Sequence, residues 1–236
     1  THHSIDGDPK DAAPLLDAAL TFPNEHLKTW AWANAAIAHE RLLEFDDAEL
    51  IAREGLLRTP KEPNLYAIIV DALRRTGRLA EAIALLPRAL SSIKAAPGPG
   101  AHSGGRAACL ADVLFVLAQA GRHDDVLELA AEYDKLVDHR VDMHAIVAMS
   151  LVALGDVPEA RKVLAKADSR FAGVLAHARA VVALAAKKPD RARAVRFLEE
   201  AKAANYPEWH WIAKDKNLAK LAGHPAFVAL DRKSVV

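Results

Sequence analysis

Leu114-Phe115-Val116-Leu117-Ala118-Gln119-Ala120-Gly121-Arg122 is answered, 34 residues later, by Ala148-Met149-Ser150-Leu151-Val152-Ala153-Leu154-Gly155-Asp156. Both are apolar helical stretches that stop at a glycine, the residue that most readily takes the left-handed conformation ending a helix. A third turn of this kind is Arg75-Thr76-Gly77-Arg78. Five residues after each glycine stand Ala82, Val126 and Ala160. One further period beyond Gly155 reaches Pro189, followed by Ala194 and Ala201. One period before Gly77 reaches Leu43, with Phe45, Ala48, Gly55 and Pro60 behind it. A repeat of this length marks a stack of helix–turn–helix units, because one unit cannot bury its apolar face alone.

Set in register, the chain divides into five units: 29–62, 63–96, 107–140, 141–174 and 175–208. The first carries Trp32 at its fourth position, Ala36 at the eighth, Phe45 at the seventeenth, Ala48 at the twentieth, Gly55 at the twenty-seventh and Pro60 at the thirty-second. The second places Tyr66, Ala72, Gly77, Ala82, Ala89 and Leu90 in the same frame. Small side chains at the eighth, twentieth and twenty-seventh positions let helix axes approach closely. A glycine turns the first helix of a unit into the second, and Pro60 stops the second helix. Departures are Val126 and Tyr133 at small-residue positions of the third unit and Pro189 in place of the turn glycine in the fifth. The second helices are expected to end near 59, 95, 137, 169 and 204.

This pattern resembles the tetratricopeptide (TPR) repeat family from about residue 7 to 208, and the implied source is bacterial. The resemblance implies an all-α, right-handed α-solenoid of about five repeats with extra N- and C-terminal helices. Gly7, Ala12 and Ala19 read as the second half of an earlier repeat, within an N-terminal block over 7–96. The segment 97–106, Pro97-Gly98-Pro99-Gly100-Ala101-His102-Ser103-Gly104-Gly105-Arg106, breaks the period. Its composition reads as a flexible Pro/Gly linker that excludes helix. Repeats three to five follow over 107–208, and 209–236 resembles the capping helices and tail that close such arrays, from Trp209 to the Pro225-Ala226-Phe227 helix and Leu230.

Composition narrows the function. Lys plus Arg and Asp plus Glu are equal at 31 each, so there is no basic surplus of the kind nucleic-acid binding draws on. One cysteine, Cys109, excludes an internal disulfide and suits a reducing, cytoplasmic setting. No apolar run is long enough to insert in a membrane. Eleven histidines show no metal-site spacing, and His39-Glu40 lacks the second histidine of a zinc helix motif. Asp46-Asp47 and Asp124-Asp125 sit at helix starts, where carboxylates complement the helix dipole. No cofactor, metal or catalytic residue is expected, and the chain does not read as an enzyme.

What remains is binding. In TPR arrays the concave surface is lined by positions 2, 5, 9, 12 and 13 of each first helix. The resemblance places there Trp30, Ile37, Glu40 and Arg41, then Asn64, Asp71, Arg74 and Arg75, then Phe115 and Gln119, then Met149. The Lys/Asn clamp by which chaperone-binding TPR domains hold a terminal carboxylate is missing, since Ala33 and Ile37 stand at its first two positions. The asparagine ladder of sugar-transferring TPR proteins is missing too, Asn34 alone fitting it. The expected groove is small-residue-lined, with Phe115 and Met149 rising from it and a basic ridge at Arg74 and Arg75. Such a surface suits an amphipathic partner helix or peptide. The expected function is therefore a protein-binding scaffold, with self-association through the repeat ends also open. The alternative is a regulatory or sensor segment of a larger bacterial signalling protein such as a kinase, cyclase or transcription regulator.

Overall fold

In the computed structural model the turn glycines Gly77, Gly121 and Gly155 have φ of 81°, 75° and 90°. Leu43, one period before Gly77, is left-handed as well, at φ 63°. The amide of Glu44 donates to the His39 carbonyl at 3.0 Å, as Arg78 donates to Leu73 and Asp156 to Leu151, each at 2.8 Å. This long backward bond satisfies a carbonyl that the last helical turn leaves without a partner. The repeat register is thus visible even where its glycine has been replaced.

The structure describes residues 8–21, 25–96, 103–137, 141–167, 172–204, 206, 212 and 215–232, with backbone alone at 25–30, 103, 141, 172 and 231–232. These residues are helical with short turns, and no strand occurs among them. They fall in two compact units, Thr1–Ala120 and Gly121–Val236.

The first unit contains α1 (Pro9–Leu20), α2 (Glu25–Arg41), α3 (Phe45–Arg58), α4 (Pro63–Arg75), α5 (Leu79–Ala95) and α6 (Ser103–Gln119). Caps set several of the starts. Asp8 accepts the Lys10 amide at 3.0 Å before Pro9, and Glu62 accepts the Asn64 amide at 3.3 Å before Pro63. Each helix packs on the next, and α4 also packs on α2 and α6. First helices of successive units therefore stand side by side. Surrounded in this way, α4 is buried from Leu65 to Arg74, and Leu65, Ile69 and Leu73 are fully enclosed. Each such side chain contributes about 1.5–3 kcal/mol of burial.

The second unit contains α7 (His123–Glu132), the single turn α8 (Asp134–Val137), α9 (Val141–Ala153), α10 (Val157–Lys166), α11 (Ala172–Ala185) and α12 (Arg191–Ala203). A 3-10 helix (Lys216–Leu221) and α13 (Pro225–Arg232) follow. Asp156 and Asp190 cap α10 and α12 by accepting the amides of Glu159 at 3.1 Å and Arg193 at 2.9 Å. The 3-10 helix lies on α11 and α13 on α12. There, Lys220 Nζ donates to the Leu184 carbonyl at 2.9 Å and Lys202 Nζ to the Leu230 carbonyl at 2.7 Å.

Ala48, Ala82, Val126, Ala160 and Ala194, which share one place in the period, are all 0% exposed. The second helices end at Arg58, Ala95, Lys166 and Ala203, close to expectation, but the third breaks at Tyr133 and resumes as α8. Tyr133 stands where a small residue belongs, and its bulk coincides with the break.

One correction concerns the insertion. Residues 103–106, read as linker, form the first turn of α6, while 97–102 lie outside the described residues. Glycine is tolerated at a helix start, and Gly105 has a positive reason to be there. A Cβ on it would lie 2.5 Å from Asn64 Nδ2, so its absence lets α6 close onto the start of α4. By this contact α6 belongs to the first unit, and the boundary between units falls at Gly121 rather than within 97–106.

Candidate functional site

The deepest polar group of the first unit is built on one turn of α4. Asp71, Arg74 and Arg75 stand three and four residues apart, the spacing that brings helix side chains together. Arg74 Nη2 pairs with Asp71 Oδ1, and Arg75 Nε donates to Asp71 Oδ2 at 2.7 Å. Asp71 is 6% exposed and Arg74 5%. From α2, Glu40 hydrogen-bonds to Asp71, and from α6, Asp112 faces the same group. The Arg74 guanidinium also lies over the Phe115 ring of α6, 4.5 Å from its centroid, while Arg75 reaches the Phe45 ring at 5.4 Å. Three neighbouring helices thus converge on one charge cluster.

Its protonation follows from its surroundings. Burial pushes the Asp71 carboxyl up, but the adjacent Arg74 and Arg75 charges outweigh it and bring it down to about 2. Glu40 moves the other way. Burial and then the charge of Asp71 hold it well above the ordinary carboxylate range. Glu40 is accordingly the protonated partner and donates to the Asp71 carboxylate. Glu40 and Asp71 share one proton beside two guanidiniums, Asp112 adds a further carboxyl to the group, and no base is positioned against a nucleophile.

The residues singled out from the sequence fare differently. Ile37, Asn64, Arg75 and Gln119 are half-buried, and Arg41 is exposed. Asp71, Arg74 and Phe115 are buried in the cluster itself. The expected basic ridge is therefore an internal ion network, and Phe115 is a covered core ring instead of a raised anchor. Met149 is 3% exposed within the second unit and does not rise from its surface either. Asn64 is turned inward, its Nδ2 donating to Glu62 Oε1 at 2.9 Å. The Trp30 side chain lies outside the described residues. Asp112, absent from the expected lining, belongs to the cluster, and a carboxylate at that position of α6 had no pattern in its own helix to reveal it.

Elsewhere the chemistry is structural. Cys109 is fully buried, and that burial raises its thiol far above the reactive range. In the second unit, His123 Nδ1 lies 3.3 Å from Ser150 Oγ, and His177 Nε2 lies 2.9 Å from Asp215 Oδ2. Asp215 orients His177 and not His123, so these residues do not form a nucleophile–base–acid relay. At the α2–α3 turn, His39, Glu44 and Asp47 bring their donor atoms within 4.8 Å. Glu44 is 2.7 Å from the His39 ring nitrogen. Three such donors could hold a metal ion, and two of them, His39 and Glu44, are already bonded to each other. No helix among the described residues is long and apolar enough to cross a membrane. Comparison with known proteins returns no family model, no curated protein and no solved structure that matches the chain.

Proposed function

We propose that this chain is a non-catalytic protein-interaction scaffold, a TPR-type α-solenoid whose first helices present a partner-binding face. The observation that carries the reading is the shared burial of Ala48, Ala82, Val126, Ala160 and Ala194, which occupy one place in the period. The left-handed residues at Leu43, Gly77, Gly121 and Gly155 support the same register. Within the first unit, α2, α4 and α6 lie side by side, as stacking of first helices requires.

The binding face differs from the one expected from sequence. Its centre is the buried charge cluster, and among the expected lining residues Ile37, Arg41, Arg75 and Gln119 keep exposed area for a partner. A partner helix or peptide meets one apolar residue, two guanidiniums and an amide on a pre-organised base, which limits the ordering cost of binding.

The test is capture of partners with the full chain and two variants. Arg41→Glu/Gln119→Glu reverses or adds charge at the edge without entering the core. Arg161→Glu changes an exposed residue of α10. A partner held by the wild type and by Arg161→Glu, but lost with the double variant, supports the face. Loss with Arg161→Glu alone would move the partner elsewhere.

A further inference from the structure

His39 makes two hydrogen bonds that a neutral imidazole cannot make together. Nδ1 lies 2.7 Å from Glu44 Oε2 and Nε2 lies 3.3 Å from Asp17 Oδ2. Both partners are carboxylates, which only accept, whereas a neutral ring has a single N–H. The doubly protonated ring alone satisfies both ends. We propose that α1 is a pH-gated flap, clamped to the α2–α3 turn by the His39 imidazolium and released when that proton leaves.

The two ends of the clamp are not equally held. Glu44 is fixed by the turn itself, its amide bonded to the His39 carbonyl at 3.0 Å beside the left-handed Leu43. Asp17 is carried by α1, which packs along α2. Ala13 is the buried residue of that helix, and Leu15 is 73% exposed. A cleft of about 460 Å³ opens between Ala13, Pro14 and Asp17 on one side and His39 and Leu42 on the other. When the clamp opens, α1 is the part that moves.

The charged groups facing His39 are Lys10 and Asp17 from α1, Glu44 from the turn and Asp47 from the first turn of α3. Three carboxylates against one ammonium favour the cationic ring. Burial opposes the charge, but the bonds to Glu44 and Asp17 outweigh it, and His39 is raised above 6.5. The Asp17 contact adds docking stability that is complete while the undocked ring, still bonded to Glu44, is protonated, and it is lost as pH rises through the docked value.

The experiment is amide hydrogen exchange of the full chain from pH 5.5 to 8.5, corrected for intrinsic rates, with nitrogen NMR of the His39 ring. Opening of α1 should increase about tenfold for each unit by which the docked value exceeds that of the undocked ring, which keeps its Glu44 bond. Amides of α4 should not share the response. His39→Gln and Asp17→Asn should each abolish it. Equal α1 protection at both pH extremes, or an unchanged pH response in His39→Gln, would overturn the proposal. If the variants do not fold, the wild-type ring decides: a folded-state His39 that titrates at or below 6.5 overturns it as well.

Discussion

Arg74 is held between two unlike partners, the Asp71 carboxylate of its own helix and the face of the Phe115 ring from α6. Its charge is neutralised on one side and its flat guanidinium is stacked on the other, which allows an arginine to sit 5% exposed. This contact joins α4 to α6 across the insertion between them.

Phe115 is therefore expected to matter for folding first. Phe115→Ala removes a buried ring and uncovers Arg74, and such changes typically cost about 3–5 kcal/mol. Urea denaturation of the full chain measures it. Phe115→Leu, which keeps part of the volume, should lose less. A variant as stable as the wild type would place the ring outside the core.

Glu40→Gln tests the shared proton. The amide still donates to Asp71 but cannot ionise. Because the folded value of Glu40 lies above its ordinary 4.5, the wild type keeps this contribution below 4.5 and loses it as pH rises through the folded value. The glutamine variant should gain on the wild type across that window, by about 1.4 kcal/mol for each unit of the difference. Asp71 has the opposite sign. Its contribution is present above its ordinary 3.8 and lost as pH falls through about 2. Stability curves of both proteins from pH 4 to 8 decide the matter, and a constant difference between them would show that folding does not displace the titration of Glu40.

Leu43→Gly should stabilise the chain or leave it unchanged, although it removes a large side chain. A left-handed non-glycine residue carries roughly 1–2 kcal/mol of strain, and Leu43 is 67% exposed, so little burial is lost. The greater freedom of glycine in the unfolded chain offsets part of the gain. A rise of up to about 1 kcal/mol in unfolding free energy is expected. A clear loss would mean that the leucine covers something.

Ala48→Leu and Ala160→Leu add bulk at two fully buried small-residue positions of the period. Overpacking of this kind costs about 1–3 kcal/mol. The same change at Ala84, an exposed position of α5, should be nearly neutral. Equal denaturation midpoints for all three would show that the repeat register is misassigned.

Much of the helical layout was legible because it rests on local rules. Glycine turns, proline stops and acidic caps each act within a few residues of themselves, and α3, α5 and α12 end at Arg58, Ala95 and Ala203, close to the expected 59, 95 and 204. The start of α6 was not legible. Ser103-Gly104-Gly105 looks like linker in isolation, and only the proximity of Asn64 explains the second glycine. The burial of the expected lining residues was not legible. Asp71, Arg74 and Arg75 at spacings of three and four already announce an ion network, yet counting them as lining residues turned them into a ridge.

The sequence by itself determined the all-helical class and the places where the chain turns, since a periodic small residue and a left-handed turn position are consequences of local geometry. It did not determine which residues of α2, α4 and α6 remain exposed. That was decided when α2, α4 and α6 came side by side. Burial then set the protonation of Glu40, covered Phe115 with Arg74 and left Ile37, Arg41, Arg75 and Gln119 at the edge. Exposure and charge state are properties of neighbours distant in sequence, which no window along the chain contains.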